Sequence, residues 1–259
     1  MIDRPTPTPT TLPPISDQHR AQVLRAVNRP RVRWRVLSDW ARSFIVAVGL
    51  FLVLRAFLIE AFKIPSGSME RTLLVGDFLL VNKAVYGAEI PFTSKHLPAL
   101  AQPAHGDVIV FEWPLDRSKN FVKRLIGLPG DTVEMRDGEL VLNGRSLTEP
   151  YVQHQQPASD PSNEEFRWQR DYLVRRAEAS GGYHPSRNTW GPLIVPAKSY
   201  FVLGDNRDDS YDSRYWGFVA DSLVKGRPLV IYYSYERDSM HRLPWLTNIR
   251  WGRLGERVR

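Results

Sequence analysis

Residues 121–142 read FVKRLIGLPGDTVEMRDGELVL. Three short apolar runs, Phe121–Ile126, Thr132–Met135 and Leu140–Leu142, are separated by residues that favour turns. Asp137-Gly138 stands between two alternating runs, which is a two-residue hairpin signal. Asn143-Gly144 offers a second turn just after. Runs this short, broken this often, read as successive strands. The same pattern recurs at Phe78–Val81, Val108–Phe111, Tyr200–Leu203 and Leu229–Tyr233. Strands spread so widely predict a mostly β region, a barrel or sandwich, over a sheet of alternating strands and helices.

Outward from this core the composition changes. Residues 154–187 are rich in Gln, Ser, Pro, Glu and Arg and read as an insertion between strands. Within it, Asn163 is placed to cap a helix with Glu164 and Glu165 in its first turn. Phe166, Leu173, Val174 and Ala177 would share one face of that helix. The stretch 237–259 carries six arginines with Trp245 and Trp251, a solvated tail or a contact with a membrane surface.

Toward the N-terminus, residues 44–54 (FIVAVGLFLVL) carry no polar side chain, and apolar character resumes after Arg55 until Glu60. Counted from Trp40 the segment is about 20 residues, and ~1.5 Å of rise per residue spans a ~30 Å hydrocarbon core. Trp34 and Trp40 are placed like interfacial anchors, and Arg42 and Arg55 can snorkel outward. A buried helix of a soluble domain is the alternative, since the uninterrupted run is short. A cleaved secretory signal fits poorly: residues 1–43 precede the run, and no A-x-A-like site follows it. Residues 1–14 hold five prolines and read as a disordered or polyproline tail. The expected division is a cytoplasmic segment 1–39, a transmembrane helix 40–59 and a region 60–259 on the opposite side of the membrane, with its insertion at 154–187.

The chain of 259 residues has Lys+Arg 35 against Asp+Glu 28, a formal charge of +7, and no cysteine. The missing cysteines exclude disulfides, a thiolate nucleophile and Cys-based metal sites. Arg20, Arg25, Arg29, Arg31, Arg33, Arg35 and Arg42 precede the apolar span with only Asp39 against them. An anchor flank explains that charge better than nucleic acid does, and it places the N-terminus in the cytoplasm.

Six scattered histidines show no metal-ligand spacing, and neither G-x-S-x-G nor a P-loop is present. Three stretches carry chemistry instead. The first is Pro65-Ser66-Gly67-Ser68, where a tight turn can expose a hydroxyl and aim a backbone N–H at the same point; taken alone, such a tripeptide is most often only a turn. The second is the strand at 121–126, in which Lys123 shares a face with Phe121 and Leu125. Poor solvation there lowers a lysine pKa and makes a general base, unless Lys123 snorkels from an edge strand. The third is GDNRDDSYDSR at 204–214. As a calcium loop it lacks the Gly at position six and the Glu at twelve. A scaffold of ion pairs and hydroxyls that orients a neighbouring group reads better.

In this order, after an N-terminal anchor, the stretches closely resemble type I signal peptidases, membrane-bound serine proteases with a Ser–Lys dyad. The matching segments are IPSGSME at 64–70, GDFLLVNK at 76–83, GDVIVF at 106–111, FVKRLIGLPGD at 121–131 and GDNRDDSYDSRYWGFV at 204–219. The resemblance implies a signal-peptidase-like β-barrel with an inserted α/β lobe. It implies Ser68 as nucleophile, Lys123 as general base, and Ser66 with the Ser68 N–H as oxyanion donors. Ser210 matches a serine that hydrogen-bonds the lysine, and Asp212 and Arg214 match supports of the site. Asp209 departs from the pattern, standing where many members have Asn.

The resemblance further implies removal of signal peptides from exported preproteins on the extracytoplasmic side of a bacterial cell membrane, near the export machinery. It implies no metal or organic cofactor and no nucleic-acid partner. Two other classes are compatible with parts of the sequence. One is another Ser–Lys protease, of the self-cleaving repressor kind. The other is a noncatalytic membrane-anchored binding module on the same fold.

Overall fold

The computed structural model describes residues 16–27, 31–87, 93, 97–154, 160–174, 182–237 and 242–259. The proline-rich stretch 1–14 and Ala177 lie outside them. Contacts divide the chain into two units, Met1–Leu52 and Val53–Arg259. The first unit holds helix α1 (Asp17–Val27) and most of α2 (Arg31–Phe57). Within α2, Trp34–Arg55 is long and apolar enough to cross a membrane, with a mean hydropathy of 1.7 and none of it buried. Phe44, Ile45 and Phe51 are therefore exposed along the helix.

The second unit is antiparallel β. Its strands are β1 (Ile59–Lys63), β2 (Asp77–Asn82), β3 (Val108–Trp113), β4 (Asp116–Gly127), β5 (Thr132–Arg136), β6 (Glu139–Leu142), β7 (Arg145–Ser146), β8 (Trp190–Ile194), β9 (Ser199–Leu203), β10 (Val219–Ala220) and β11 (Val224–Ser234). Seven form one sheet in the order β1-β2-β11-β3-β4-β9-β10, and four form a second in the order β7-β6-β5-β8. The mostly β expectation holds. In place of a ring of strands, each sheet is open, the larger one ending at β1 and β10.

Local sequence explains much of this. β2 alternates, with Leu79 and Val81 buried and Phe78 and Leu80 only half-buried, the period of a strand with one face on a core. Asp137 and Gly138 have φ of 49° and 85°, and Asn143 and Gly144 have 52° and 78°. Positive φ at both central residues is the two-residue hairpin geometry that Asp-Gly and Asn-Gly favour. These turns join β5 to β6 and β6 to β7.

The chain between β4 and β9, adjacent in the larger sheet, builds the whole second sheet. It also carries a 3-10 helix at Glu164–Tyr172, whose Glu165 N–H donates to the Asn163 side chain. Phe166 and Leu173 are buried, but Val174 is exposed: the helix ends at Tyr172, and the chain beyond it is extended, so Leu173 and Val174 point to opposite sides.

Three cores follow the sheets. One packs Leu79, Val81, Val108, Val110 and Ile231 against Ile64 and Met69 of the β1–β2 loop. Val258 joins the same core. Arg253 bonds the buried Asp77 carboxylate at 2.7 Å and the Thr72 carbonyl at 3.0 Å. Residues 242–259 are thus folded onto the larger sheet and are not a solvated tail. Burial of Val258 and pairing of Asp77 outweigh the freedom the arginines would have in water.

Candidate active site

The β1–β2 connection is a turn followed by a 3-10 helix at Gly67–Met69, with Ser66 extended at its N-cap. Met69 and Leu73 sink into the core and fix the turn from below. Ser66 is left exposed and Ser68 half-buried. Ser68, Ser66 and Lys123 line one cleft of about 300 Å³ together with Ile64, Val122 and Asp209.

Lys123 lies on β4, which is hydrogen-bonded to β3 on one side and β9 on the other. It is no edge strand, and Lys123 is 4% exposed, so the side chain does not snorkel. Its Nζ donates to Ser68 Oγ at 2.5 Å, and the Phe121 ring centroid lies 5.7 Å from Nζ. Burial pushes the Lys123 pKa down to about 8. The Asp212 carboxylate works against that shift, Arg214 adds to it, and Asp205 and Asp209 oppose it. The charged form loses water and regains only part of that solvation from carboxylates at a distance.

On a flat sheet, β2 and β4 are three strand spacings apart, roughly 14 Å. The serine turn reaches the lysine because three site segments are tied together by one buried cluster. Arg124, next to Lys123, makes two bonds to Asp205, at 2.8 and 2.7 Å. Thr72 of the serine loop donates to the same carboxylate at 2.5 Å. The guanidinium lies 3.8 Å from the Tyr151 ring centroid. From the next residue, the Asn206 N–H donates to the Ser68 carbonyl at 3.1 Å and its Nδ2 to the Gly67 carbonyl at 3.2 Å.

Residues 204–217 form the scaffold behind the lysine. Arg214 and Asp212 are fully buried and paired through Nε–Oδ1 at 2.8 Å and Nη2–Oδ2 at 2.9 Å. Burial pushes the Asp212 carboxyl up, but Arg214 more than offsets it, helped by Ser210 and the Gly204 N–H, so the net shift is downward. Gly204 donates to Asp212 Oδ2 at 3.1 Å, and Arg207 Nε donates to the Gly204 carbonyl at 3.1 Å. The 3-10 helix of the inserted chain buttresses this loop: Trp168 Nε1 and Gln169 Nε2 both donate to the Arg214 carbonyl.

The six residues singled out in the sequence do not all meet in the same way. Ser66, Ser68 and Lys123 share the cleft. Asp212 and Arg214 sit behind it and act on Lys123 electrostatically. The Ser210 hydroxyl is buried and makes no hydrogen bond of normal geometry among the described residues, to Lys123 or any other group. It faces the Asp212 carboxylate closely enough to help keep it ionised.

Sequence reasoning missed Gly204, Asn206, Thr72 and the Arg124–Asp205 pair. A Cβ on Gly204 would stand 2.2 Å from Ser210 Oγ and 2.5 Å from the Ser68 carbonyl. Only glycine leaves that space. The density of Asp, Asn and Arg at 204–214 pointed to such a scaffold, but nothing local pointed to Thr72.

A half-buried turn hydroxyl held against a buried amine is a geometry in which a serine hydrolase can work without histidine. A family model described as signal peptidase, peptidase S26, matches residues 37–233. Signal peptidase I of Pseudomonas aeruginosa is 38% identical over 223 residues, covering 81% of this chain and 77% of its own. Signal peptidase I of Leptolyngbya laminosa is 33% identical over 243 residues, covering 91% and 93%. A crystal structure of a signal peptidase I from Enterococcus faecalis V583 is 35% identical, covers 50% of this chain and 98% of its own, and superposes with a TM-score of 0.33. On the family match and the identity to the Pseudomonas aeruginosa and Leptolyngbya laminosa enzymes, the chain belongs to the peptidase S26 family of signal peptidases.

Proposed function

We propose that the chain removes signal peptides from exported preproteins, with Ser68 as nucleophile and Lys123 as general base. The observation that carries this reading is the 2.5 Å contact between Lys123 Nζ and Ser68 Oγ, made by a lysine that is nearly fully buried. In its neutral form Lys123 accepts the Ser68 proton as Oγ attacks the scissile carbonyl. The Ser68 N–H and the Ser66 hydroxyl, at the mouth of the same turn, stabilise the oxyanion. The protonated lysine then gives its proton to the leaving amine. The mature chain departs as that amine, and a water that Lys123 deprotonates then hydrolyses the acyl-enzyme, freeing the signal peptide and restoring Ser68.

The division proposed for the chain follows from the same reading. Residues 1–39 are cytoplasmic, 40–59 cross the bilayer once, and 60–259 are catalytic on the extracytoplasmic side, with 154–187 inserted. Arginines before the span and few after it support that orientation. Ser68 lies eleven residues beyond the end of α2 at Phe57, a tether that suits a scissile bond close to the membrane surface. That bond follows the apolar stretch of a signal peptide, so the enzyme works beside the lipid and near the export machinery. Ile64, Met69 and Val122 give the cleft an apolar wall that suits the small side chains preceding the cut.

The test is processing of a preprotein by the purified full chain, with the cut mapped to one bond. Ser68→Ala and Lys123→Met, made separately, should each abolish it. Full activity in either variant would sink the dyad.

A further inference from the structure

The cleft at Ser68 has walls of two chemistries. Against apolar Ile64, Met69 and Val122 stand polar Asn120, Asp209 and Tyr211. Neighbouring carboxylates of the scaffold loop are paired: Asp205 with Arg124, Asp208 with Arg187, and Asp212 with Arg214. Asp209 is exposed, and its carboxylate has no ion pair or hydrogen bond among the described residues. It faces the serine turn directly. A Cβ built on Gly67 would lie 3.8 Å from Asp209 Oδ2 and 3.4 Å from Glu70 Oε2. The fully buried Asn206 reaches the same place, donating to the Gly67 carbonyl and, at 3.5 Å, to Glu70 Oε2. Its Oδ1 is buried without a partner among the described residues. Asp209 is also close enough to act on Lys123.

We propose that Asp209 is a specificity-determining residue, which gives the cleft a subsite for a cationic side chain carried by the substrate next to the scissile bond. This rests on the cleft being the signal-peptide cleavage site. Residues just before such a cut are small and uncharged. The cation therefore comes from the first residues of the released chain, as Lys or Arg. An unpaired carboxylate in a cleft with low-dielectric walls attracts such a group and repels Glu or Asp. For a partly exposed pair the preference is roughly two- to fivefold in kcat/KM.

The experiment uses the full chain in lipid–detergent micelles. Quenched-fluorescence peptides share one signal sequence and differ only in Lys, Gln or Glu at the first or second position after the cut. The wild-type enzyme should cleave in the order Lys, Gln, Glu at one of these positions. The spread should shrink at about 1 M salt, where the Debye length is ~3 Å. Asp209→Asn should level the three peptides, Asp209→Glu should keep the order, and Asp209→Lys should reverse it. A wild-type enzyme with no order, or an order that survives Asp209→Asn, overturns the subsite. If Asp209 acts only through Lys123, Asp209→Asn shifts the pH profile alike for all peptides and leaves their ratios untouched, which also overturns it. Cleavage that survives Ser68→Ala would instead overturn the dyad, and the subsite with it.

Discussion

Gly204→Ala puts one methyl group where the site has no room for it. The new Cβ would lie 2.5 Å from the Ser68 carbonyl and 2.2 Å from Ser210 Oγ, against 3.4 Å for ordinary contact. Rotating the Ser210 hydroxyl aside gives no relief, because the Ser210 Cβ itself would lie 2.6 Å away, and the Ser68 carbonyl is backbone. The Ser68 carbonyl accepts from the Asn206 N–H at 3.1 Å, so its retreat strains a bond that pins the serine turn. Relief needs the Ser68 backbone to withdraw by about 0.9 Å, which carries Oγ off its 2.5 Å contact with Lys123. A misplacement of ~1 Å at a reacting group costs roughly a hundredfold in rate. Overpacking costs about 1–3 kcal/mol, a fall in Tm of roughly 2–12 °C for a domain of this size. The assay is kcat/KM on a preprotein peptide beside thermal unfolding of the same sample. Gly252→Ala is the control, since nothing lies within 4 Å of its Cβ position, and it should stay within about 0.5 kcal/mol of wild type. A Gly204→Ala enzyme with wild-type kcat/KM and Tm would refute the close packing of this loop on Ser68.

Four further perturbations bear on the site and on the C-terminal segment that braces the serine loop. Because Lys123 must be neutral to act and titrates at about 8, kcat/KM should climb about tenfold per pH unit below that value and level off above it; a profile flat from 6 to 9 counts against a lysine base. Asp212→Asn removes the carboxylate that most opposes the lowering of the Lys123 pKa, so the rising limb should move to lower pH. The same change strands the buried Arg214 and should cost about 3–5 kcal/mol, read by denaturant unfolding. Arg253→Ala strips the buried Asp77 of its 2.7 Å partner and should cost about 1–3 kcal/mol of stability, measured as a lower Tm, while Lys at 253 should restore part of it. Asn206→Ala frees the Gly67 carbonyl and should lower kcat/KM about tenfold while costing about 0.5–1.5 kcal/mol of stability, with rescue by Gln failing because the longer side chain misplaces the amide.

The strands that alternate or carry continuous apolar runs were legible before any coordinates. All seven runs singled out fall inside β2, β3, β4, β5, β6, β9 and β11, and both predicted two-residue turns connect paired strands. β1, β7, β8 and β10 were not legible. β1 reads Ile-Glu-Ala-Phe-Lys directly after the apolar helix, and its pairing with β2 decides its conformation. β8 contains Gly191-Pro192, residues that argue against a strand, and it survives as the edge of its sheet. The stretch at 242–259 misleads in a different way. Its composition is that of a solvated segment, yet Val258 and Arg253 each find a buried partner that only the folded sheet supplies.

From residue types and spacing alone came a mostly β chain behind one apolar helix, a serine turn, a lysine among apolar neighbours and a loop of ion-pairing residues. Each of these is local: a hydrophobic period, a turn dipeptide or a cluster of charges is written within a few residues. Distance and solvation are not local. Ser68 and Lys123 are 55 positions apart, and Thr72 and Asp205 are 133. Their contacts exist because Arg124, Asp205 and Asn206 tie three separate segments together. Lys123 loses its water because β3 and β9 flank it and the serine turn covers it, which sequence periodicity alone left undecided between a base and a snorkelling cation. Tertiary packing settled its burial and set the direction of its pKa, since desolvation depends on every neighbour at once.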